Sequence, residues 1–200
     1  MTRAAAIFWG WAASIVLVWF LVALALEQPF WTRQHSVDLT AFGAFKGQTL
    51  TFGDSWKLVV SQWLHVKFAH MLFNAAIIGF VGAALTQRLM WPLVLALGII
   101  GGACGQLASA LGQPDAYVSG ASQAYLALCG AGLLVLGWKR LGWWAAAIGV
   151  LVSIGLDVVV SGHSGIKPGH FVGFVVGLIA GAVLLVLDKR RSGWAILRRN

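Results

Sequence analysis

Long apolar runs alternate with short polar breaks along most of this chain. Six runs reach or approach the ~20 residues needed to cross the hydrocarbon core of a bilayer. They cover about residues 4–26, 64–85, 91–111, 119–138, 143–160 and 168–187. Polar punctuation closes each one: Glu27-Gln28-Pro29, Thr86-Gln87-Arg88, Gln113-Pro114-Asp115, Lys139-Arg140, the stretch SGHSG at 161–165, and Asp188-Lys189-Arg190-Arg191. Pro92 and Pro168 stand at run openings, where a helix tolerates proline because the missing N–H had no partner there. The first run is too long for the apolar core of a signal peptide and reads as a spanning helix. The pattern predicts an all-α polytopic membrane protein, one membrane domain over 1–200, with six transmembrane helices.

Composition strengthens this reading. Of 200 residues, 60% are hydrophobic and 10% charged, against about 25% charged in an ordinary soluble domain. Eleven Trp and 25 Gly suit interfacial anchoring and close helix packing; Trp9, Trp11, Trp19 and Trp31 are expected in such roles. The net charge of +8 falls between the apolar runs. It therefore points to lipid head groups and topology, not nucleic acid. Cys104 and Cys129 both lie in apolar runs and are expected as buried, reduced thiols. No spacing suggests zinc, and no cofactor is called for.

Orientation follows from the basic residues of the short loops. With the N-terminus inside, nine of the fourteen Lys and Arg face inward, among them Arg3, Lys139, Arg140, Lys189 and Arg198. Five face outward: Arg33, Lys46, Lys57, Lys67 and Lys167. Both termini are thus expected on the cytoplasmic side. The long outer connection, about 27–63, mixes aromatic and polar residues. Long connections without a task are uncommon, so it is expected to be partly embedded and amphipathic. Compact size and the lack of a targeting segment suggest a bacterial-type inner membrane.

With this topology the second, fourth and sixth spans all begin at the outer face. His65, His70 and Asn74 lie early in the second, Ser122 early in the fourth and His170 in the first turn of the sixth. At 1.5 Å rise per residue, these groups share one shallow depth. His70 and Asn74, four apart, fall on one helix face, while His65 points elsewhere. Polar groups inside spans are costly and tend to mark function. A serine hydroxyl needs a base to become a nucleophile, and an oxyanion needs fixed donors. Ser122 and His170 therefore form the proposed dyad, and His70 and Asn74 the oxyanion donors. Gly120 permits a tight turn that frees a backbone N–H. Glycines at 169, 173, 177 and 181 provide a smooth face by which the sixth span can approach the fourth.

At these residues the sequence resembles the rhomboid family of intramembrane serine proteases, over about residues 56–187. The resemblance rests on His65-x4-His70-x3-Asn74, on Gly120-Ala121-Ser122 with Gly130 following, on His170-x2-Gly173-x3-Gly177, and on the pair Trp56-Lys57 in the first loop. It implies Ser122 as nucleophile and His170 as general base, then acid. It also implies His70 and Asn74 at the oxyanion and His65, Gly120, Tyr125 and Trp56 in support. Transmembrane protein substrates would be cut near the outer face, with membrane lipids as the other partners.

Three positions depart from the family pattern. Gln123 follows the serine where many members have Gly. Leu126 stands where an aromatic would stack on the histidine, with Tyr125 one residue before it. Thr86-Gln87-Arg88 lacks the acid of Glu-x-Arg. The resemblance also implies no Asp in the catalytic set. Asp157 is the one acid deep in a helix, and a structural or cavity-facing role is expected of it. The departures leave a second reading, a helix-binding relative of weak or no activity. A bis-histidine haem protein using His70 and His170 would leave Asn74 and Ser122 without a role.

Overall fold

The computed structural model describes residues 1–160 and 165–197, with side chains to residue 187 apart from Val160. His163, Arg198 and Arg199 lie outside the described residues, and the basic residues at 189–191 are placed as backbone only. Six substantial helices dominate: α1 (Arg3–Ala25), α3 (Phe68–Leu85), α4 (Trp91–Gly112), α5 (Ser122–Val135), α6 (Leu141–Gly155) and α7 (Pro168–Leu197). A single turn, α2 (Lys57–Val60), lies in the long connection. Among the described residues, five helical stretches are long and apolar enough to cross a membrane: α1, α3, α4, α6 with its extension, and the first twenty residues of α7. α5 is also apolar but only 14 residues long.

The difference at α5 has a physical cause. The apolar run there begins near residue 119, but Gly120 takes φ +109°, a conformation that favours glycine over any side chain. The helix starts only at Ser122, and Leu136 ends it in extended backbone. Every residue from Ser122 to Gly132 is buried, because α3, α4, α6 and α7 all pack around this one helix. The tightest approach is to α7: a Cβ on Gly173 would sit 2.6 Å from the Gln123 carbonyl oxygen, and one on Gly177 would collide with the Ala127 carbonyl. Helices in lipid gain little from hydrophobic exclusion and adhere through such close backbone contact.

The periphery is apolar and uncovered. Leu21, Leu24, Ile100, Leu111, Ile148, Leu151, Ile179 and Val183 are all at least half exposed. A belt of this extent suits hydrocarbon, not water. Cys104 lies on this exposed face of α4, contrary to the expectation that it is buried; Cys129 is buried, and the two do not form a disulfide. Trp11 and Trp19 are core residues, whereas Trp31 is two-thirds exposed. The Arg140 guanidinium donates to the Gln87 side-chain carbonyl at 2.7 Å. That bond ties the segment after α3 to the one before α6, so α3 and α5 end on the same side.

The connection between α1 and α3 is folded. It carries short 3-10 turns at Asp38–Phe42, Gly47–Thr49, Phe52–Asp54 and Ser61–Trp63. Leu39 and Ala44 pack with Val22 and Leu64, and Phe45 packs with Ala110 and Val118. Phe45–Lys46 pairs antiparallel with Tyr117–Val118, which fixes the chain just ahead of Ser122. At the connection's surface, Lys57 Nζ lies 2.7 Å from Asp54 Oδ1. The hydrogen bond from Lys57, helped by Thr51, holds the Asp54 carboxyl below the usual carboxylate range, at about 2. Trp56 is half exposed there, with Lys57 Nζ 5.7 Å from its ring centroid.

Candidate active site

Ser122 is the first residue of α5, and His170 lies in the first turn of α7. Close packing at the glycine face brings them together: His170 Nε2 and Ser122 Oγ are 2.8 Å apart. The other ring nitrogen, Nδ1, lies 2.6 Å from Asp157 Oδ2 and 3.2 Å from Ser153 Oγ. Ser153 belongs to α6, and Asp157 to the π-helical extension Leu156–Val160 that follows it. Asp157 is also reached by the Lys167 backbone N–H at 3.1 Å and by Lys167 Nζ at 3.7 Å. Ser122, Ser153, Asp157 and His170 are all at least nine-tenths buried.

A cavity of about 270 Å³ opens onto these groups, lined among others by His70, Tyr125, Gln113 and Lys167. His70 therefore faces the serine's cavity. Asn74 does not line it: its Nδ2 lies 2.9 Å from His65 Nε2, in a fully buried position. The Ala121 N–H also donates to His65 Nε2, at 3.2 Å. His65 Nδ1 lies 3.2 Å from the Trp63 carbonyl, so the Nδ1–H tautomer satisfies all three contacts. The Asn74 amide nitrogen is thus turned to His65, while His70, one helical turn before it, lines the cavity. His65 stands outside α3, in extended chain that folds back, and it engages the Asn74 amide. Asn74 and His65 together hold the backbone of Ala121, next to the serine.

Gly120 forms the turn into α5. Its N–H donates to the Ser61 carbonyl at 2.9 Å, and its carbonyl accepts from the Gln106 amide at 2.9 Å. The first N–H groups of a helix have no intrahelical acceptor. At the start of α5 these belong to Ser122 and its neighbours, beside the cavity. Tyr125 is fully buried and lines the cavity, but its ring meets Phe73 edge-on at 5.9 Å. His170 is held by hydrogen bonds to Asp157 and Ser153. Trp56 lies in the connection and does not line the cavity. The Ser122 hydroxyl also has Gln123 Oε1 within 3.0 Å.

Gln106 and Ser153 escaped the sequence reading, and Asp157 was singled out without its partner. Gln106 was one more polar residue in an apolar run, and only the turn of Gly120 above it explains the residue. Asp157 carried a signal, a lone acid deep in a span, but no spacing linked it to His170.

A bundle of apolar helices, with a serine hydroxyl and an imidazole in contact at the buried start of its central helix, defines a class of integral membrane proteins. The rhomboid domain family model matches residues 53–187, and the chain belongs to the rhomboid family. It is similar to RHOMBOID-like protein 7 of Arabidopsis thaliana, 30% identical over 138 residues, covering 66% of this chain and 43% of that one. It is similar to RHOMBOID-like protein 2 of the same plant, 32% identical over 152 residues, with 72% and 46% covered. Rhomboid protease GluP of Bacillus subtilis (strain 168) is 29% identical over 157 residues, with 75% and 30% covered. The chain thus spans half or less of the length of these relatives. They come from plant and bacterial sources, and a further Arabidopsis relative is named mitochondrial, so they do not single out a host membrane.

Proposed function

We propose that this protein is an intramembrane serine endopeptidase of the rhomboid type. In this reading α5 counts as a sixth span, both termini are cytoplasmic, and the cavity opens toward the outer face of its membrane. The observation that carries the proposal is the 2.8 Å contact between Ser122 Oγ and His170 Nε2 at the floor of a polar cavity within an apolar bundle.

The chemistry follows from the contacts. Ser122 Oγ attacks the scissile carbonyl carbon while His170 Nε2 takes its proton. The carbonyl π pair moves to oxygen, and the oxyanion is met by N–H groups at the start of α5 and by the His70 ring. Collapse of this intermediate breaks the C–N bond, and Nε2 returns the proton to the leaving amine. Water then adds to the acyl carbon by the same route, losing a proton to Nε2, and Ser122 is released. Asn74, by way of His65, acts as a support for Ala121 and so for the oxyanion donors.

A substrate helix needs a path from lipid to this cavity. A second hollow of about 500 Å³ lies between α3 and α6, lined largely by Val66, Ala69, Phe73, Val152 and Leu156 and sharing His70, Ser119 and Lys167 with the first. Its apolar walls suit a lipid-borne segment, and its shared residues lead to the serine. A segment that unwinds there exposes the peptide bond that a helix shields.

A fluorophosphonate tests the reading. The purified protein is expected to form a covalent adduct at Ser122, found by mass spectrometry of the labelled peptide, and Ser122→Ala to form none. Absence of any adduct on the wild type would remove the nucleophile.

One contact favours the second reading, a helix-binding relative of little activity. Gln123 Oε1 competes with His170 for the single Ser122 hydroxyl proton. A hydrogen bond of this kind is worth about 1 kcal/mol net, so the competition slows the enzyme without silencing it. Gln123→Met keeps most of the volume and lacks the carbonyl. It is expected to raise the labelling rate about fivefold. An unchanged or lower rate would show that Gln123 is not a brake.

A further inference from the structure

We infer that Asp157 is a positioning residue that completes a Ser122–His170–Asp157 relay, rather than a structural acid; the inference rests on the protease reading above. Asp157 is 1% exposed, and Oδ2 lies 2.6 Å from His170 Nδ1. A carboxylate accepts hydrogen bonds and does not donate them. At this distance Nδ1 must therefore carry a hydrogen, donated to Oδ2. In the neutral ring that leaves Nε2 as the lone-pair nitrogen, 2.8 Å from Ser122 Oγ. Only this tautomer can take the serine proton. Ser153 Oγ, at 3.2 Å from Nδ1, is a weaker second acceptor for the same hydrogen.

The assignment also bears on the competition at Ser122, because it makes Nε2 an acceptor there. The hydroxyl has one hydrogen and two acceptors, His170 Nε2 and Gln123 Oε1. With Nε2–H as the alternative tautomer, Nε2 would donate to Ser122 Oγ, and the serine hydrogen would pass to Gln123. That state cannot start the reaction. Asp157 selects against it, because a bare Nδ1 would face the carboxylate lone pairs at 2.6 Å. When the proton arrives on Nε2, the same carboxylate stabilises the imidazolium; Asp157 accepts no proton itself.

The position is built, not incidental. The π-helical extension Leu156–Val160 carries Asp157. The Lys167 N–H fixes Oδ2 from the other side, and Lys167 Nζ approaches Oδ1. Among the described residues, His70 from α3 and Tyr125 from α5 are further titratable groups that face the pair, both lining the same cavity. The aromatic expected to stack on His170 is replaced at its position by Leu126, and the ring is held through Nδ1 instead.

The test uses the full chain in detergent and a model transmembrane substrate, comparing wild type, Asp157→Asn, Asp157→Glu and Ser122→Ala. The Asn side chain is isosteric, but its amide donates to Nδ1 and stabilises the wrong tautomer. Asp157→Asn is expected to lower kcat by about 10- to 100-fold, the worth of one charge-assisted hydrogen bond, with KM nearly unchanged. Asp157→Glu is expected to recover part of that loss. Nitrogen NMR of histidine-labelled protein, with His170 assigned by its loss in His170→Ala, is expected to show Nδ1–H in the wild type and Nε2–H in Asp157→Asn. Wild-type kcat in Asp157→Asn, or an Nε2–H ring in the wild type, overturns the relay and leaves the Ser-His protease standing. A wild type as inert as Ser122→Ala overturns the protease reading and the relay with it. If Asp157→Asn does not fold, the Glu variant and the wild-type tautomer decide.

Discussion

Replacing His170 by alanine is expected to reduce substrate cleavage by roughly 10⁴-fold or more and to slow fluorophosphonate labelling of Ser122 to a comparable degree. A serine hydroxyl at neutral pH is a weak nucleophile, and its reactivity here comes from the imidazole 2.8 Å away. Among the described residues, the other group hydrogen-bonded to Ser122 is Gln123 Oε1, which is far too weak a base to remove the proton. The double variant Ser122→Ala with His170→Ala should be no worse than either single variant, since the two groups act as one unit. The side chain of His170 is largely buried, so His170→Ala also opens a polar void. His170→Gln, which fills it, is expected to be equally inactive. Labelling of His170→Ala at the wild-type rate would assign the base elsewhere.

The second large effect lies away from the chemistry. Gly177→Val is expected to lower cleavage by roughly 10²-fold or more and to reduce thermal stability, although residue 177 is about two turns along α7 from His170. The β-carbon would meet the carbonyl of Ala127, a backbone group that has no rotamer to give. Overpacking of a tight interface costs about 1–3 kcal/mol, and here relief requires α7 to move away from α5. The Ser122–His170 contact spans that same interface, and a misplacement of about 1 Å can cost 10² in rate. Ile179→Val, on the exposed face of α7, is the control and should leave both activity and melting unchanged. Equal activity in Gly177→Val and wild type would show that the dyad does not depend on close α5–α7 packing.

Much of this was legible in the sequence, because bilayer thickness and helical rise turn sequence position into depth. That is how Ser122 and His170, 48 residues apart, could be placed at one level. The glycines at 173 and 177 signalled the approach of two helices for the same reason: only a missing side chain allows it. What failed to show was rotation and chain reversal. His70 and Asn74 share a face by spacing, but extended chain around His65 turns back to claim Asn74, and no periodicity encodes that. The expected start of the fourth span was three residues early, because a single positive-φ glycine displaces the helix start. Two-residue strands such as Phe45–Lys46 are too short to carry an alternating pattern. Asp157 stood out as a buried acid, yet its partner depended on the π-helical extension that aims it.

The central claim is that Ser122 and His170 cut a peptide bond inside a membrane bundle. Purified protein in detergent, incubated with a model transmembrane substrate beside Ser122→Ala and His170→Ala, tests it most directly. The account predicts discrete products from the wild type, with one new amino terminus within the substrate's apolar segment or at its outer edge, and none from either variant. Equal cleavage by wild type and Ser122→Ala, or an intact substrate in all three reactions across several substrates, would contradict it.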